Sequence, residues 1–429
     1  MARKMKDSGI EWIGEIPEGW SKNKVIRLFD IIGSGTTPKN ITSDFPVVNW
    51  IQSGDITGSF MPTCKNVISA NLLSQYSALK VYPAPFIIIA MYGASVGNAS
   101  ISLIDGCVNQ ACCVLSSPSC NLHYAFYVIK SAQSYLVRKA VGGGQPNISQ
   151  ETIKQLWLPL PPLSTQDIIV RNLDATCSKI DDLLSSVHAS IEEYKKLKQA
   201  VITQAVTKGV RGEREMKDSG VEWIGEIPTS CSICKLKYLL KNPLKYGANE
   251  SGIPYSDSLP RYIRITDITP DGNLKCTGKL SLSEESAKDY ILEDGDILFA
   301  RSGATVGKTF IYYQSYGRSA YAGYLIKASL NNKVSPKFVY YYTCSSLYEV
   351  WKNSIFIQST IQNIGADRYA NLPVPVPKTL QEQEEIADYL DAKCAEIDGL
   401  IAKKEQLVKE LESYKKSLIY EVVTGKREV

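Results

Sequence analysis

The chain has 429 residues, of which 44% are hydrophobic and 21% are charged, and its formal net charge is +4. This composition excludes a disordered polypeptide and is typical of a folded protein with several domains. No apolar segment follows the N-terminus, and the longest apolar run, Pro85 to Met91, is far too short to span a bilayer. We therefore expect no signal peptide, no membrane association and a cytoplasmic location.

A repeat organises the chain from its N-terminus onward. The segment Met5 to Pro17 recurs as Met216 to Pro228, and only Ile10 has changed, to Val221. Further matches follow in the same order: 50–56 with 262–268, 90–97 with 300–307, 158–161 with 374–377 and 173–175 with 390–392. The chain is therefore interpreted as two copies of one unit, related by a pseudo-twofold axis as in a fused homodimer.

Each copy begins with a globular segment, residues 1–163 and residues 216–379. Both contain short β-type runs bounded by turn residues and fewer helical stretches, which indicates an α+β domain with a mostly antiparallel sheet. The predicted strands are Phe86–Met91, Ile297–Ala300, Phe310–Tyr313 and Tyr324–Ala328, and the predicted helices are His123–Ala140 and Pro336–Asn353.

Each globular segment is followed by a predicted long helix, in 164–215 and in 380–429. The stretch 164–207 contains neither Pro nor Gly, and Gly209 and Gly425 would end the two helices. Apolar residues recur every three or four positions, which predicts an antiparallel coiled coil between the two helices. The predicted seam consists of Ile169, Leu173, Ile180, Leu183 and Leu197 in the first helix and Ile386, Leu390, Ile397, Leu400 and Tyr414 in the second. An ordinary helical hairpin in a single core is the competing interpretation.

Charge alternates along these segments. The two globular segments each carry a net charge of +4, residues 164–215 are neutral, and residues 380–429 carry −4. Mild positive charge on both globular segments favours a nucleic-acid partner without establishing one.

Motifs that suggest catalysis or metal binding do not fit their requirements. The segment Gly303–Thr309 resembles a phosphate-binding loop, but three residues instead of four separate its glycines, so we predict a tight turn between strands. Cys231 and Cys234 form a lone C-x-x-C pair without the four ligands of structural zinc. We find no methyltransferase or nuclease residue set either, and we expect reduced thiols, no metal and no catalytic activity.

The repeat and several strings resemble the specificity subunits of type I restriction–modification systems. The strings are Asp7–Gly14 with its copy, Gly35–Pro38, Gly295–Gly303, Leu158–Gln166 and Thr379–Gln383. The resemblance implies that each globular segment is a target recognition domain reading half of an asymmetric bipartite DNA site. It further implies that the helices set the spacing and dock two modification subunits. Restriction subunits would join these, and S-adenosylmethionine and ATP with Mg²⁺ would bind the partners, so this chain itself would need no cofactor.

DNA-reading residues are predicted in the loops, where side chains that make paired hydrogen bonds can reach base edges. The candidates are Gln145, Asn147, Arg301, Lys308, Gln358, Ser359 and Gln362, together with Tyr92, Ser95 and Ser302 from the matched segments 90–97 and 300–307. A purely structural role is the competing interpretation for each residue. For the whole chain, the alternative function is a free-standing sequence-specific DNA-binding regulator on the same scaffold.

Overall fold

The fold is taken from a computed structural model, which describes residues 3–39, 41, 43–142, 146–269, 272–356 and 363–429. The chain divides into two compact units. Unit 1 comprises Met1–Val187 with Gln406–Val429, and unit 2 comprises His188–Glu405. Each unit thus combines one globular part with segments of both long helices. The sequence-based segments 1–163, 164–215, 216–379 and 380–429 remain a prediction about domain boundaries.

Unit 1 contains short strands and short helices before its first long helix. Its strands are β1 Met5–Ile10, β2 Gly14–Pro17, β3 Ser21–Lys24, β4 Phe29–Gly33, β5 Val47–Ile51, β6 Phe60–Met61, β7 Val67–Ser69, β8 Phe86–Ala90, β9 Ala99–Ser102, β10 Cys107–Val108, β11 Cys112–Pro118 and β12 Trp157–Leu160. Its helices are α1 Val25–Leu28, α2 Leu72–Gln75, α3 Leu122–Ser131, α4 Gln133–Arg138 and α5 Gln150–Lys154, and the long helix is α6 Leu163–Lys208.

Unit 2 repeats this order of elements. Its strands are β13 Met216–Asp218, β14 Glu226–Pro228, β15 Cys231–Lys235, β16 Lys245–Tyr246, β17 Ile253–Pro254, β18 Arg261–Ile263, β19 Leu280–Ser281, β20 Ile297–Ala300, β21 Thr309–Ile311, β22 Ser319–Tyr321, β23 Leu325–Ala328 and β24 Pro373–Pro377. Its helices are α7 Glu284–Ala287, α8 Pro336–Thr343, α9 Ser346–Phe356 and α10 Ala366–Ala370, and the second long helix is α11 Leu380–Val423.

The main sheets of the two units have matching topology. The order in unit 1 is β4-β11-β8-β9-β6, and the order in unit 2 is β16-β23-β20-β21. A parallel pair, β5 with β10 and β18 with β22, recurs in the second sheet of each unit, and most other pairs are antiparallel. This mixed α and β architecture confirms the predicted fold class.

The central strands β8 and β20 are buried on both faces. Alternate residues of a strand point to opposite faces, and accordingly Ile87 and Ile89 belong to one hydrophobic cluster whereas Phe86 and Ile88 belong to another. Strand β20 is divided between two clusters in the same way. Because both faces of these strands are covered, the strands consist of consecutive apolar residues without alternating polar ones.

Helices form in both of the predicted helical stretches, 123–140 and 336–353, but each stretch is divided into two helices. The breaks lie between α3 and α4 and between α8 and α9. A serine hydroxyl at each break donates to a carbonyl three residues earlier, Ser131 to Val128 and Ser345 to Tyr342, both at 2.7 Å. Local side-chain bonds of this kind compete with continued helix, and sequence periodicity does not reveal them.

The two long helices form as predicted, and each ends just before a glycine in the left-handed conformation. Helix α6 ends at Lys208, where Gly209 has φ +75°, and helix α11 ends two residues before Gly425, which has φ +72°. Glycine adopts this conformation without steric cost, which explains why both helices end there.

Within each unit the segments of α6 and α11 pack side by side. In unit 1, Lys415 donates to both oxygens of Asp181, at 2.5 and 2.7 Å. In unit 2, Lys198 donates to both oxygens of Asp398, at 2.7 and 2.6 Å. In unit 2, Arg211, which follows α6, also pairs with Glu385 at 2.7 Å. Residue numbers therefore rise along α6 as they fall along α11, which is the antiparallel arrangement.

The buried seam differs in phase from the predicted one. Buried residues of the predicted set are Ile169, Leu173, Ile180, Ile386, Leu390 and Ile397, and Leu400 is half-buried. By contrast, Leu183, Leu197 and Tyr414 are 53%, 48% and 47% exposed, so placing these three in the seam was wrong. The half-buried positions are the adjacent Leu184, Lys198 and Lys415. Because one residue turns a helix by about 100°, a one-residue error in phase moves a side chain from the seam toward solvent.

A buried glutamine joins each long helix to the residue that precedes α3 in unit 1 and α8 in unit 2. In unit 1, the Gln166 side chain accepts from the Asn121 amide at 2.9 Å and donates to the Pro161 carbonyl at 2.8 Å. Unit 2 repeats the arrangement at Gln383, whose side chain is 1% exposed. It accepts from the Ser335 amide at 2.8 Å.

A tyrosine–aspartate pair makes a second connection in each unit. The Tyr127 hydroxyl donates to Asp174, and the Tyr341 hydroxyl donates to Asp391, both at 2.6 Å. These aspartates belong to the repeated Leu-Asp-Ala string, so the repeat corresponds to the attachment of each globular part to its own helix.

Candidate nucleic-acid interface

A tight turn at the end of the central strand is built identically in both units. In unit 1 it contains the short helix Gly93–Ser95, and in unit 2 the short helix Gly303–Thr305. The Gly97 amide donates to Ala90 at 2.8 Å, and the Gly307 amide donates to Ala300 at 2.9 Å. This geometry confirms the prediction of a turn between two strands in place of a phosphate-binding loop.

The turn requires glycine at its ends. Gly307 has φ +82°, and a Cβ there would lie 2.2 Å from the Cδ of Lys352. Gly97 has φ +77° and would meet the Gln133 side chain at 3.3 Å. The repeated glycines therefore serve the backbone path, and the intervening side chains are free to differ between the two units.

In unit 1 the turn brings together three of the predicted residues. Tyr92 forms an isolated antiparallel bridge with Asn147, and it is 44% exposed. Ser95 is half-buried at the end of the short helix. The Oδ1 atom of Asn147 is buried without a hydrogen-bond donor in the part of the chain that the structure describes. Gln145, the fourth predicted residue here, lies outside the described residues.

In unit 2 the same main-chain turn carries a different set of predicted residues. Ser302 bridges Asn363 in the way that Tyr92 bridges Asn147. Lys308 is exposed, and its amide donates to Thr305 at 3.0 Å. The predicted residues Gln358, Ser359 and Gln362 lie outside the described residues.

Arg301 occupies the most constrained position of the unit 2 turn. Its amide donates to the Tyr324 carbonyl at 3.0 Å, and its carbonyl accepts from Ile364 at 2.8 Å. Its guanidinium carbon lies 4.8 Å from the ring centroid of Tyr246. The Tyr246 hydroxyl in turn accepts from the Ala366 amide at 3.0 Å. A cation held over an aromatic ring in this way is stabilised and oriented by the ring.

Two buried tyrosines support the unit 2 turn from the core side. The Tyr348 hydroxyl donates to the Gly307 carbonyl at 2.8 Å, and the Tyr369 hydroxyl donates to the Ala300 carbonyl at 2.9 Å. Burial raises the pKa of both Tyr348 and Tyr369 well above the ordinary value of a phenol. Both hydroxyls therefore stay protonated and keep donating to the turn.

The sequence interpretation missed Tyr246 as a neighbour of Arg301. The two residues lie 55 positions apart, and nothing in the local pattern joins them. Tyr324, whose carbonyl accepts from the Arg301 amide, is 65% exposed.

Searches for metal and membrane features cover the described residues only. Within them, no group of three or more His, Cys, Asp or Glu side chains is placed to hold a metal ion. None of the described helices is long and apolar enough to cross a membrane.

Known proteins were then compared with this chain. A family profile described as the type I restriction modification DNA specificity domain matches residues 17–193 and 239–410. The MjaVIII specificity subunit of Methanocaldococcus jannaschii is 26% identical, and the match covers 71% of this chain and 69% of that protein. The putative MjaX specificity subunit of the same organism is 26% identical with 96% and 95% coverage, and the Escherichia coli EcoKI specificity subunit is 23% identical with 90% and 84% coverage.

Solved structures agree in fold. A chain from a study of complex assembly and conformational transition in a type I restriction–modification system superposes with a TM-score of 0.74, 16% identity, and 95% and 98% coverage. The HsdS subunit from Thermoanaerobacter tengcongensis superposes with a TM-score of 0.51, also at 16% identity. The two family matches fall on the two repeated units. The chain therefore belongs to the type I restriction modification DNA specificity family and is a specificity subunit.

Proposed function

We propose that this chain is the non-catalytic DNA-reading subunit of a type I restriction–modification complex, in which each globular part reads one half of an asymmetric bipartite site. One observation carries the proposal. The two units build the same turn with matched hydrogen bonds, yet they present different side chains on it, such as Tyr92 and Asn98 in unit 1 against Ser302 and Lys308 in unit 2. A common frame with different donors and acceptors suits two different half-sites.

The long helices are proposed to set the spacer and to dock two modification subunits. Leu197 in unit 2 and Tyr414 in unit 1 occupy equivalent positions of the repeat, and they are 48% and 47% exposed. An exposed apolar side chain at the same place in both units supports the binding of two copies of one partner. The partners would supply S-adenosylmethionine, and the restriction subunits would supply ATP-driven activity with Mg²⁺.

The docking part of the proposal is tested by co-purification of the modification subunit. We expect the double variant Leu197→Glu, Tyr414→Glu to lose it, because a buried charge without a partner is costly at an interface. The matched control is the double variant Lys196→Glu, Ser413→Glu, which places new charges at adjacent exposed positions. Equal recovery of the modification subunit with the first pair and with wild type would contradict docking at these positions.

The reading part is tested by mapping adenine methylation in cells that carry this chain with its modification subunit. We expect one interrupted, asymmetric sequence to be methylated, and we expect the purified chain alone to transfer no methyl group. Methyl transfer by the chain alone would refute the non-catalytic role. Tight sequence-specific binding by the chain alone, with no methylation directed by the complex, would favour the regulator alternative.

A further inference from the structure

We infer that Arg301 reads a guanine in the half-site of unit 2, with Tyr246 as the residue that positions it. The inference rests on the proposed function, because it names the base that one recognition unit selects. It begins from a difference between the two copies of the turn. The position of Arg301 is filled in unit 1 by Met91, which is 5% exposed and belongs to the hydrophobic core.

The main chain at these two positions is the same. The Met91 amide donates to Ala111 at 2.7 Å, and its carbonyl accepts from Ile148 at 2.9 Å. Arg301 makes the corresponding bonds, at 3.0 and 2.8 Å. The frame therefore accepts an apolar side chain, so a cation at position 301 is not needed for folding.

The guanidinium of Arg301 is oriented but not neutralised. Among the described residues, no carboxylate forms an ion pair with it, and its Nε is buried without an acceptor. The ring of Tyr246 covers one side at 4.8 Å. The buried Nε is out of reach of a ligand, whereas the two terminal nitrogens of the guanidinium are not fully buried and donate to none of the described residues. They can therefore donate to an acceptor from outside the unit.

As an acceptor for this guanidinium, guanine fits better than phosphate does. The planar guanidinium makes two parallel hydrogen bonds to the O6 and N7 atoms of guanine, which is the commonest specific contact to a base. Phosphate contacts orient a protein on any sequence, and Lys308, which is exposed on the same turn, is the better candidate for that role in unit 2. Only unit 2 carries a donor at the position of Arg301.

The test uses the full-length chain assembled with its modification subunit and a library of randomised DNA duplexes. The first variant is Arg301→Met, which installs the residue of unit 1 and is expected to fold. We expect one G·C position in one half-site to become degenerate, with discrimination at that position reduced about tenfold or more. The other positions of the site should be unchanged.

Three further variants separate the alternatives. Arg301→Lys keeps the charge but loses the paired donors, so it should relax the same position. Tyr246→Leu should relax it partly, and Tyr246→Phe, which keeps the ring, should relax it less. The matched control Lys308→Gln should weaken binding to all sequences and leave the preferred sequence unaltered.

Two outcomes would overturn the inference. Uniform loss of binding by Arg301→Met and Arg301→Lys, with the preferred sequence unchanged, would assign Arg301 to phosphate or to structure. Relaxation at an A·T pair would exclude guanine. Both outcomes leave the proposed function intact if the wild-type complex still selects a bipartite sequence, whereas loss of any bipartite selection by wild type would refute the proposed function itself.

Discussion

The buried glutamine of unit 2 offers a direct test of how the globular part is attached to its helix. Replacing Gln383 with methionine conserves volume but removes all three hydrogen bonds of the amide, of which the one to the Lys333 carbonyl is the longest at 3.4 Å. The Ser335 amide and the Pro377 carbonyl, which the glutamine contacts at 2.8 and 3.0 Å, would then be unpaired in a buried setting. Each unsatisfied buried group costs about 1–3 kcal/mol, so we expect a loss of about 2–6 kcal/mol in the free energy of unfolding.

The corresponding fall in melting temperature is large enough to measure. For a unit of this size, 1 kcal/mol shifts the midpoint by roughly 2–4 °C, so the lower end of the range already predicts about 4–8 °C. Differential scanning calorimetry of the full chain measures the shift, and amide hydrogen exchange at α8 assigns it to unit 2. Gln381→Met is the matched control, because Gln381 is exposed and bonds only to Glu385 of its own helix. If Gln383→Met and the control melted within a degree of each other, the attachment role would be refuted.

Four other predictions follow from the same architecture. Lys308→Gln should reduce the salt dependence of DNA binding by the complex, measured by titration at several ionic strengths, and an unchanged slope would exclude a phosphate contact. Inserting four residues after Ser186, with four matching residues in α11, adds about 6 Å and should lengthen the recognised gap by about one or two base pairs at roughly 3.4 Å each. An unchanged gap in the methylation map would contradict the role of the helices in setting the spacing. The fragment 1–215 should form a homodimer that, with the modification subunit, directs methylation to an interrupted palindrome. A monomeric mass measured by light scattering would contradict this prediction. Iodoacetamide at pH 8 should modify the exposed Cys276 before Cys113, since burial raises the pKa of Cys113 to about 12, and equal rates by mass spectrometry would disagree with the burial.

The buried thiols also give a pH dependence with a definite sign. Burial raises the pKa of Cys107 and Cys394 to about 11 from an ordinary value of 9.0. The folded state therefore holds these protons more tightly than the unfolded state. The resulting stability is fully present below pH 9 and is lost as the pH rises through about 11. Urea unfolding in a reducing buffer should accordingly show a lower midpoint at pH 10 than at pH 7.5, and an equal or higher midpoint would contradict this assignment.

The features that were predicted correctly are those for which the sequence contains a periodic pattern of apolar residues or a repeated segment. The long helices are visible because apolar residues recur over more than 40 residues without Pro or Gly in the first copy, and Gly209 and Gly425 mark their ends. The turn was identified because its glycines recur at matched positions. In each case the signal lies within a short stretch or in its copy, so no knowledge of tertiary contacts is needed.

The errors arise where a contact distant in sequence decides the outcome. The phase of the seam depends on which neighbour packs against α6, and apolar content alone misassigned Leu183 and Leu197. The ring beneath Arg301 comes from Tyr246 on another strand. These are tertiary effects, which the local sequence pattern does not show.

Under the proposed function, the repeated turn lets one scaffold carry different side chains toward two half-sites. The turn is fixed by glycine conformations and main-chain bonds, and none of these depends on the side chain at position 91 or 301. A buried Met91 and a half-buried Arg301 are both accommodated, although methionine is apolar and arginine is charged. A change at this position can therefore alter which base is preferred without disturbing the fold. The side chain at position 301 does constrain its neighbours, because the ring of Tyr246 stabilises an arginine there and would not stabilise a methionine in the same way. Under the proposed function, one change at position 301 can relax the base preference, whereas installing an arginine of defined orientation also involves the ring that packs against it.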